Sequence, residues 1–471
     1  MNQYDTVIIG SSFASSFFLH AHLQRLPATA RVLVLERGPH TDHAQQVKNR
    51  ANSPVDSGRT FERAGDPRKE WTFSLGFGGS SNCWWACTPR MLPNDFRMRS
   101  AYGVGRDWPV SYEELESFYC AAEEIMQISG PGDGPFPRSR PYPQPPHRFT
   151  DPDRLLKARN PRQYFHMPTA RARVATDTRG ACCANAVCRL CPVDAKFTIQ
   201  NGMRQTYGDP RVTVLLNAEA MAIETTAGVA TGVRYAHEGR TKLAKASLVV
   251  LGANAIFNPF LLLKSGLDDP LLGRRLHEQA AIEATVYLDG VDNFQGSTSI
   301  TGHGYMLYDG PHRSRYAGCL IEAWNRPFFR LEPGRYRQVL NLKFIFEDLP
   351  SSDNRVAVSE RDPSMPMAYF DARSDYLMAG VRELSNNMPR VLEGLPVERV
   401  QLSTKIAPTE AHILGTTVMG DDPADSVVDR RLVHHKVRNL VVAGSSVFPT
   451  GAPANPTLTL SALSLYAAAH L

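Results

Sequence analysis

Four cysteines lie within ten residues of one another: Cys182, Cys183, Cys188 and Cys191. Thiolates bind soft metal ions and exchange electrons. Where no secretory signal is predicted, such a cluster indicates a metal or redox site more often than a disulfide framework. The sequence Cys191-Pro192 is typical of iron–sulfur ligands. Zinc is a second interpretation, although adjacent cysteines rarely both bind one tetrahedral ion, and unligated or disulfide-forming thiols are a third.

A histidine and an asparagine near the C-terminus offer groups suited to acid–base chemistry. An unperturbed imidazole titrates near pH 6.5, close to the optimum for a general base at neutral pH, and His412 carries one. Asn455 can donate or accept a hydrogen bond without competing for a proton. Because Asn455 precedes Pro456 and an apolar stretch through Leu465, it also has the pattern of a helix N-cap followed by proline. The two roles are compatible.

The N-terminal residues predict a β-α-β unit that binds a dinucleotide. Tyr4 to Gly10 is typical of a buried parallel strand, a helix is expected through Leu26, and a second strand from Arg31 to Leu35 ends at Glu36. In such a unit the pyrophosphate binds at the helix N-terminus and the acid accepts hydrogen bonds from the adenosine ribose. A carboxylate at this position also argues against a cofactor with a 2′-phosphate.

The glycine fingerprint of this unit is degraded. Ser12 and Ser15 replace the second and third glycines of the G-x-G-x-x-G pattern. Both residues are small, so the backbone can still approach phosphates. On this motif alone, an ordinary β-α-β unit of an α/β protein remains the alternative.

Several blocks near the C-terminus resemble a known family. They are His412 to Gly420, Ser426 to Asp429, Asn439 to Thr450 and Asn455 to Thr459. Their order resembles the C-terminal signature of the glucose-methanol-choline (GMC) flavin oxidoreductases. The resemblance implies hydride transfer from an alcohol carbon to FAD, with His412 as the base and Asn455 positioning the substrate hydroxyl.

A loop at residues 76–90 is rich in glycine and then in aromatic residues, which suits a chain lying flat against a ligand. Among GMC proteins it most resembles the corresponding loop of pyranose oxidases and related sugar oxidases and dehydrogenases. Pyranose oxidases carry a histidine, bound covalently to the flavin, where this chain has Cys83. We therefore expect non-covalent FAD, with a thioether link at Cys83 as the alternative.

The resemblance and the β-α-β unit together assign a set of residues to the FAD site. They are Gly10, Ser12, Ser15, Glu36, Arg37, Gly78, Gly79, Ser80, Asn82, Cys83, Ala220, Gly444, Ser445, Pro456 and Thr457. The implied fold is α/β. It combines a discontinuous Rossmann-like FAD-binding domain, residues 1–285 and 405–471, with a smaller antiparallel-sheet substrate-binding domain, residues 286–404. Within the first domain, residues 130–146 are expected to be an irregular excursion. Trp324, Phe328 and Phe329 either line the substrate pocket or belong to the core.

The cysteine cluster, residues 182–191, resembles an insertion in the catalytic subunits of FAD-dependent glucose dehydrogenases. Their three-cysteine iron–sulfur cluster passes electrons to a cytochrome partner, but its last two ligands lie one residue further apart than Cys188 and Cys191. Related GMC proteins without a cluster contain the same Cys-Pro-x-x-Ala-Lys pattern, here from Cys191 to Lys196. On this resemblance we expect Cys182, Cys183, Cys188 and Cys191 to hold an iron–sulfur cluster.

Composition and charge exclude other classes of function. The chain has 471 residues and a net charge of +5 without any basic run, so we expect no binding to nucleic acid. No stretch approaches eighteen apolar residues, which argues against a membrane span. The first predicted strand begins by Tyr4 and leaves no room for a signal peptide. We therefore expect a cytoplasmic protein, although export with a partner subunit would leave the same sequence.

The sequence thus predicts FAD-dependent oxidation of an alcohol or sugar hydroxyl to a carbonyl. We expect a dehydrogenase rather than an oxidase, with electrons passing to an acceptor or to a small-subunit partner. The alternative is an FAD-binding electron-transfer or scaffold subunit without alcohol chemistry, because a fold alone does not fix a function.

Overall fold

The computed structural model describes residues 3–471. The strands are β1 (Gln3–Ile9), β2 (Val32–Leu35), β3 (Glu62–Gly65), β4 (Tyr164–His166), β5 (Val212–Leu215), β6 (Glu219–Thr226), β7 (Val229–His237), β8 (Arg240–Leu251), β9 (Ala280–Leu288), β10 (Ile300–Leu307), β11 (Cys319–Trp324), β12 (Val339–Phe346), β13 (Arg355–Val358), β14 (Pro366–Phe370), β15 (Val397–Leu402) and β16 (Leu440–Val442). The helices are α1 (Phe13–Leu23), α2 (His43–Asn49), α3 (Met98–Tyr102), α4 (Tyr112–Met126), α5 (Asp151–Arg159), α6 (Ile199–Gly202), α7 (Arg204–Tyr207), α8 (Asn254–Lys264), α9 (Asp375–Val391) and α10 (Thr457–Ala469).

A seven-stranded sheet builds the nucleotide-binding part of the fold. Its order is β5-β2-β1-β8-β7-β6, and β16 also pairs with β8. Strand β1 lies parallel to both β2 and β8, with Ile9 opposite Leu35 and Leu251. The carboxyl ends of these strands therefore share one edge, where open α/β sheets bind ligands.

Helix α1 is apolar on nearly all sides because it is enclosed. It follows β1 and packs against α10. Phe17, Phe18 and Leu19 are fully buried although they point in different directions around the helix. The helix ends at Leu23, one turn before the predicted end.

A six-stranded antiparallel sheet forms a second layer, in the order β15-β9-β12-β11-β10-β4. Helix α9 covers one face of it and contacts β12. The buried positions Leu377, Gly380, Leu384 and Met388 recur every three or four residues, as in an amphipathic helix. The Ser374 hydroxyl caps the helix by accepting the N–H of Leu377 at 3.1 Å. The helix thus fixes this sheet from behind.

The predicted α/β class with a smaller antiparallel sheet is confirmed. The suggested boundary at residue 285 falls inside β9, and β4, from the range assigned to the FAD domain, completes the antiparallel sheet. A further sheet, β13-β14-β3, joins residues from both ranges. Residues 130–146 contain neither helix nor strand, as expected. Within residues 3–471, no helix is long and apolar enough to cross a membrane.

Candidate active site

Two adjoining cavities lie at the carboxyl edge of the parallel strands. The smaller, about 120 Å³, lies beside Glu36 at the tip of β2. The larger, about 440 Å³, is lined by His412 and Asn455. Ser12 and Ser80 line both cavities, so the two cavities adjoin and form one elongated space. Its shape suits a dinucleotide with one end at β2 and the other below His412.

Glycines bring the backbone close at the junction of these cavities. Gly10 has φ +92°, and a Cβ there would lie 2.6 Å from the carbonyl oxygen of Gly252. A Cβ on Gly79 would lie 2.7 Å from that of Ser12. Helix α1 begins beside them, and the Ser12 side chain makes no capping hydrogen bond. The first N–H groups of the helix are therefore available to an anion such as a pyrophosphate.

The buried Glu36 carboxylate fixes the glycine-rich loop to the first β-α-β turn. Its Oε2 accepts the Ser11 hydroxyl at 2.6 Å, and its Oε1 accepts the N–H groups of Gly38 at 2.9 Å and Gly76 at 3.2 Å. The Ser11 hydroxyl in turn accepts the N–H of Gly78 at 3.0 Å. Sequence reasoning missed Ser11, because a serine in a small-residue turn carries no distinguishing signal.

Most residues predicted to bind FAD line the two cavities. The smaller cavity is lined by Gly10, Ser12, Glu36, Arg37, Gly79, Ser80 and Ala220. The larger is lined by Ser12, Ser80, Cys83, Gly444, Ser445, Pro456 and Thr457. Ser15, Gly78 and Asn82 line neither cavity. They lie behind the cavity wall, where the Asn82 amide donates to the carbonyl oxygen of Phe77 at 2.9 Å.

Ser15 supports the helix rather than a ligand. Ser15 lies about one helical turn after Ser12, and its hydroxyl donates to the carbonyl oxygen of Ile9 at 3.2 Å. A Cβ on Gly252 would lie 2.2 Å from the Ser15 hydroxyl. The third glycine of the dinucleotide fingerprint allows close helix–strand packing. Here the missing glycine is compensated by one on the neighbouring strand end.

The loop that carries His412 is held by a buried carboxylate. Glu278 accepts the backbone N–H of His412 at 3.3 Å and the Thr409 hydroxyl at 3.1 Å, and it pairs with buried Lys69. On the other side, the Ser445 hydroxyl donates to the carbonyl oxygen of Ile413 at 2.7 Å. The backbone around His412 is thus fixed independently of its ring.

The amide of Gln279 fixes the tautomer of His412. Its Nε2 donates to the carbonyl oxygens of Ala452 at 2.6 Å and Ala454 at 2.7 Å, which leaves Oε1 to face His412 Nδ1 at 2.5 Å. Because Oε1 can only accept, Nδ1 must carry the proton. His412 Nε2, which has no hydrogen-bond partner within residues 3–471, is then unprotonated, as a base requires.

The surroundings of His412 keep its ring neutral. Burial lowers the pKa of His412 from 6.5 to about 4; the charge of Lys343 lowers it further, whereas Glu322 opposes the shift. At neutral pH the ring can therefore accept a proton.

Asn455 presents an unpaired amide oxygen. Asn455 is 7% exposed, and its Oδ1 has no hydrogen-bond partner in the described part of the chain. Helix α10 begins at Thr457 without a side-chain cap, so the interpretation of Asn455 as an N-cap is wrong. The amide remains available to the cavity, and the N-terminus of α10, which lines it too, favours negative charge there.

The antiparallel sheet also contributes residues to the wall of the larger cavity. Glu322 and Trp324 on β11 and Lys343 on β12 line it. Phe328 and Phe329 do not, and they are 45% and 54% exposed rather than core. Sequence reasoning did not select the two charged residues. A usable signal existed, since each is the only charged residue in an otherwise largely apolar strand.

Cys83 lines the larger cavity but is a weak nucleophile. Its thiol donates to the carbonyl oxygen of Ser80 at 3.6 Å. Burial raises the pKa of the Cys83 thiol, so the thiol is protonated at neutral pH. Because the thiolate is the reactive form, this environment disfavours a thioether link.

The four clustered cysteines do not converge on one point. Cys188 is buried with its sulfur 2.8 Å from the Ser299 hydroxyl, whereas Cys183 is exposed. The Cys191 sulfur accepts the N–H of Ala195 at 3.3 Å. Among the described residues, no group of three or more His, Cys, Asp or Glu side chains could hold a metal ion. The arrangement therefore does not fit the predicted iron–sulfur cluster or a zinc site, and all the cysteines are free thiols.

Family models define the class of the protein. The N-terminal model of the GMC oxidoreductases matches residues 145–281, and the C-terminal model matches residues 350–464. The chain therefore belongs to the GMC oxidoreductase family and is an FAD-dependent oxidoreductase that acts on CH–OH donors.

Individual relatives extend over nearly the whole chain. The fructose dehydrogenase large subunit of Gluconobacter japonicus is 27% identical over 98% of this chain and 97% of that protein. The 6'''-hydroxyparomomycin C oxidase of Streptomyces lividus is 26% identical over 92% and 85%. In fold, the chain is similar to pyridoxine 4-oxidase from Mesorbium loti, with a TM-score of 0.71, 18% identity and 99% of both chains covered. The sequence relatives thus include both a dehydrogenase and an oxidase, and a solved oxidase structure shares the fold.

Proposed function

We propose that this chain oxidises an alcohol or sugar hydroxyl to a carbonyl, with His412 as the base and Asn455 positioning the reacting hydroxyl. The observation that carries the proposal is that both side chains line one cavity, with His412 Nε2 free to accept a proton and the Asn455 amide without a hydrogen-bond partner among residues 3–471. When bound, FAD supplies the acceptor for the hydride. The fructose dehydrogenase and the 6'''-hydroxyparomomycin C oxidase among the relatives support a hydroxylated substrate.

The residues of the elongated cavity fit non-covalent FAD. Glu36 and Arg37 would hold the adenosine end, and the N-terminus of α1 would receive the pyrophosphate. The N-terminus of α10, at Pro456 and Thr457, would stabilise negative charge on the reduced ring. The protonated Cys83 thiol supports a cofactor that is bound without a covalent link.

His412 and Asn455 divide the work on the substrate oxygen. His412 Nε2 takes the hydroxyl proton while Gln279 holds the ring by its Nδ1–H. The Asn455 amide can donate from Nδ2 to the same oxygen, so it does not compete with His412 for the proton. A positioned base of this kind contributes about 10²- to 10⁴-fold to a rate.

An anaerobic panel of alcohols and sugars tests this function directly. We expect at least one member to bleach the flavin absorbance of the purified protein, with the matching carbonyl as product. If dithionite bleaches the flavin but no member of a broad panel does, the proposal fails. That result would favour the electron-transfer or scaffold alternative.

We further propose that a carrier or partner subunit, rather than oxygen, collects the electrons. The support is a relative of nearly full coverage that is named as the large subunit of a dehydrogenase. Turnover with a quinone or dye should exceed reoxidation by air, and equal rates would contradict this proposal. The arrangement of the four cysteines does not fit an iron–sulfur cluster, and about three or four irons per flavin in the purified protein would overturn that interpretation. Less than about one iron would leave the cysteines structural. The cytoplasmic location stays a prediction.

A further inference from the structure

Three largely buried charged residues lie together in the lining of the larger cavity. Glu322 and Lys343 are directly paired across β11 and β12. Glu410, from the loop that carries His412, accepts a hydrogen bond from Lys343 Nζ at 2.5 Å. The side chains of Glu322, Lys343 and Glu410 are 3%, 17% and 4% exposed, and all line the larger cavity. We call these residues the charged wall.

The charged wall is not satisfied by the protein itself. Oε1 of Glu410 and Oε1 of Glu322 are buried without a hydrogen-bond partner among residues 3–471. His303 Nε2 approaches the free oxygen of Glu322 only to 3.8 Å. Burial raises the pKa of Glu410 to about 7 in spite of Lys343. Leaving a buried charged acceptor without a donor is costly, so these oxygens are suited to donors that arrive from the cavity.

An aromatic surface adjoins the charged wall. Trp324 lies two residues after Glu322 on β11, so both side chains stand on the same face of the sheet. Trp324 packs edge-on against Trp85 with 4.9 Å between ring centres, and its buried indole N–H has no partner in the described chain. Both rings line the cavity. An apolar face beside several free polar groups suits a ring that carries C–H faces and hydroxyl edges.

A structural role alone does not explain why all three residues of the charged wall are charged. The Lys343–Glu410 pair does tie the His412 loop to the sheet. However, Glu322 contributes nothing to that tie, and it is buried with an oxygen left free. A monohydric alcohol could satisfy none of these groups, because its single hydroxyl must lie at His412.

We propose that Glu322, Lys343 and Glu410 form a subsite that binds hydroxyl groups of the substrate other than the one oxidised. The substrate is therefore a polyhydroxylated ring rather than a monohydric alcohol. This inference rests on the proposed function, since it concerns the donor whose hydroxyl is oxidised. Each hydroxyl donates to a free carboxylate oxygen, and Lys343 can donate to a substrate oxygen.

The first test uses the wild-type holoprotein and two sets of donors of similar size. One set contains hexoses and amino sugars, and the other contains cyclohexanol, benzyl alcohol and 1-hexanol. We expect the polyhydroxylated set to bleach the flavin at least about tenfold more efficiently, the discrimination expected from one or two charged hydrogen bonds. Equal efficiency of the monohydric set would overturn the inference but leave the proposed function intact. Bleaching by neither set would instead overturn the proposed function.

The second test uses Glu322→Gln, which keeps the volume of the side chain. With the best sugar of the panel, the apparent KM should rise about tenfold or more. Glu283→Gln is the matched control, because Glu283 is the partner of Lys343 on the other neighbouring strand, β9, yet is 51% exposed and lies outside the cavity. An unchanged KM in Glu322→Gln, or an equal rise in the control, would contradict the subsite.

A series of deoxy sugars keeps the inference testable if the variant fails to fold. In the wild type, removal of a hydroxyl remote from the reacting carbon should raise the apparent KM about tenfold at one position or more. In Glu322→Gln, the rise in apparent KM caused by removing the hydroxyl that Glu322 binds should be smaller than in the wild type, because the effects of two interacting groups are not additive. If the wild type tolerates every single deoxy substitution without loss, no such subsite exists.

Discussion

Two buried carboxylate sites at opposite ends of the elongated cavity are built differently. Glu36 accepts hydrogen bonds from three protein groups, Ser11, Gly38 and Gly76. Glu322 and Glu410 each retain a buried oxygen with no partner among residues 3–471. The first arrangement fixes a loop permanently, whereas the second is complete only with a ligand that enters and leaves. The comparison suggests that the nucleotide end is preorganised and that the substrate end keeps its polar groups free for the substrate.

The largest effect is expected from removing the Glu36 carboxylate, whose hydrogen bonds are all made within the protein. Glu36→Ala removes an acceptor from three buried donors, each costing about 1–3 kcal/mol when left unpaired. We expect a large fall in melting temperature and protein that is purified without stoichiometric flavin. Glu219→Ala is the control, because Glu219 lines the same small cavity but its side chain is 48% exposed. A Glu36→Ala protein with normal flavin content and stability would show that this carboxylate does not organise the loop.

A smaller effect is expected in the pH dependence of His412. The pKa of His412 is lowered to about 4. The rate of wild-type flavin reduction should therefore stay constant as the pH is lowered from neutral, and it should fall only when the pH drops through about 4. Gln279→Glu places a carboxylate beside Nδ1, which stabilises the imidazolium and raises the pKa of His412. The acid limb of the rate should then move up by about one to three pH units.

The control for this shift is Gln24→Glu, which adds the same charge at an exposed position. Its acid limb should match the wild type. If Gln279→Glu leaves the acid limb unchanged while FAD stays bound, Gln279 does not hold the ring of His412.

The smallest expected effect concerns the link to the flavin. Acid precipitation should release FAD from both the wild type and Cys83→Ser, because burial raises the pKa of the Cys83 thiol and keeps it unreactive. Flavin that stays with precipitated wild-type protein but leaves the variant would establish a thioether link and correct this interpretation.

Local patterns predicted the nucleotide end well. The strand, turn and helix from Tyr4 onward and the acid at Glu36 are contiguous in sequence, so periodicity and spacing suffice to find them. The pattern could not show where the Ser15 hydroxyl would lie. Its position one turn along α1 directs it to the sheet, and the compensating glycine, Gly252, lies on a distant strand.

The substrate end could be predicted only in part. His412 and Asn455 stand in recognisable blocks, and they do line one cavity. Gln279, however, lies 133 residues before His412, and no local spacing relates the two. Glu322 and Lys343 come together through strand pairing. A charged residue in an apolar strand can be noticed in the sequence, but the sequence does not show which residue lies opposite it.

The central claim is that His412 removes the substrate proton, and stopped-flow flavin reduction tests it most directly. His412→Ala should retain FAD, because Glu278 holds the loop through its backbone, yet reduce its flavin about 10²-fold or more slowly than the wild type. His435→Ala, which removes a histidine bonded to Ser426 outside the cavity, should reduce its flavin at the normal rate. Reduction of His412→Ala at the wild-type rate would contradict the account.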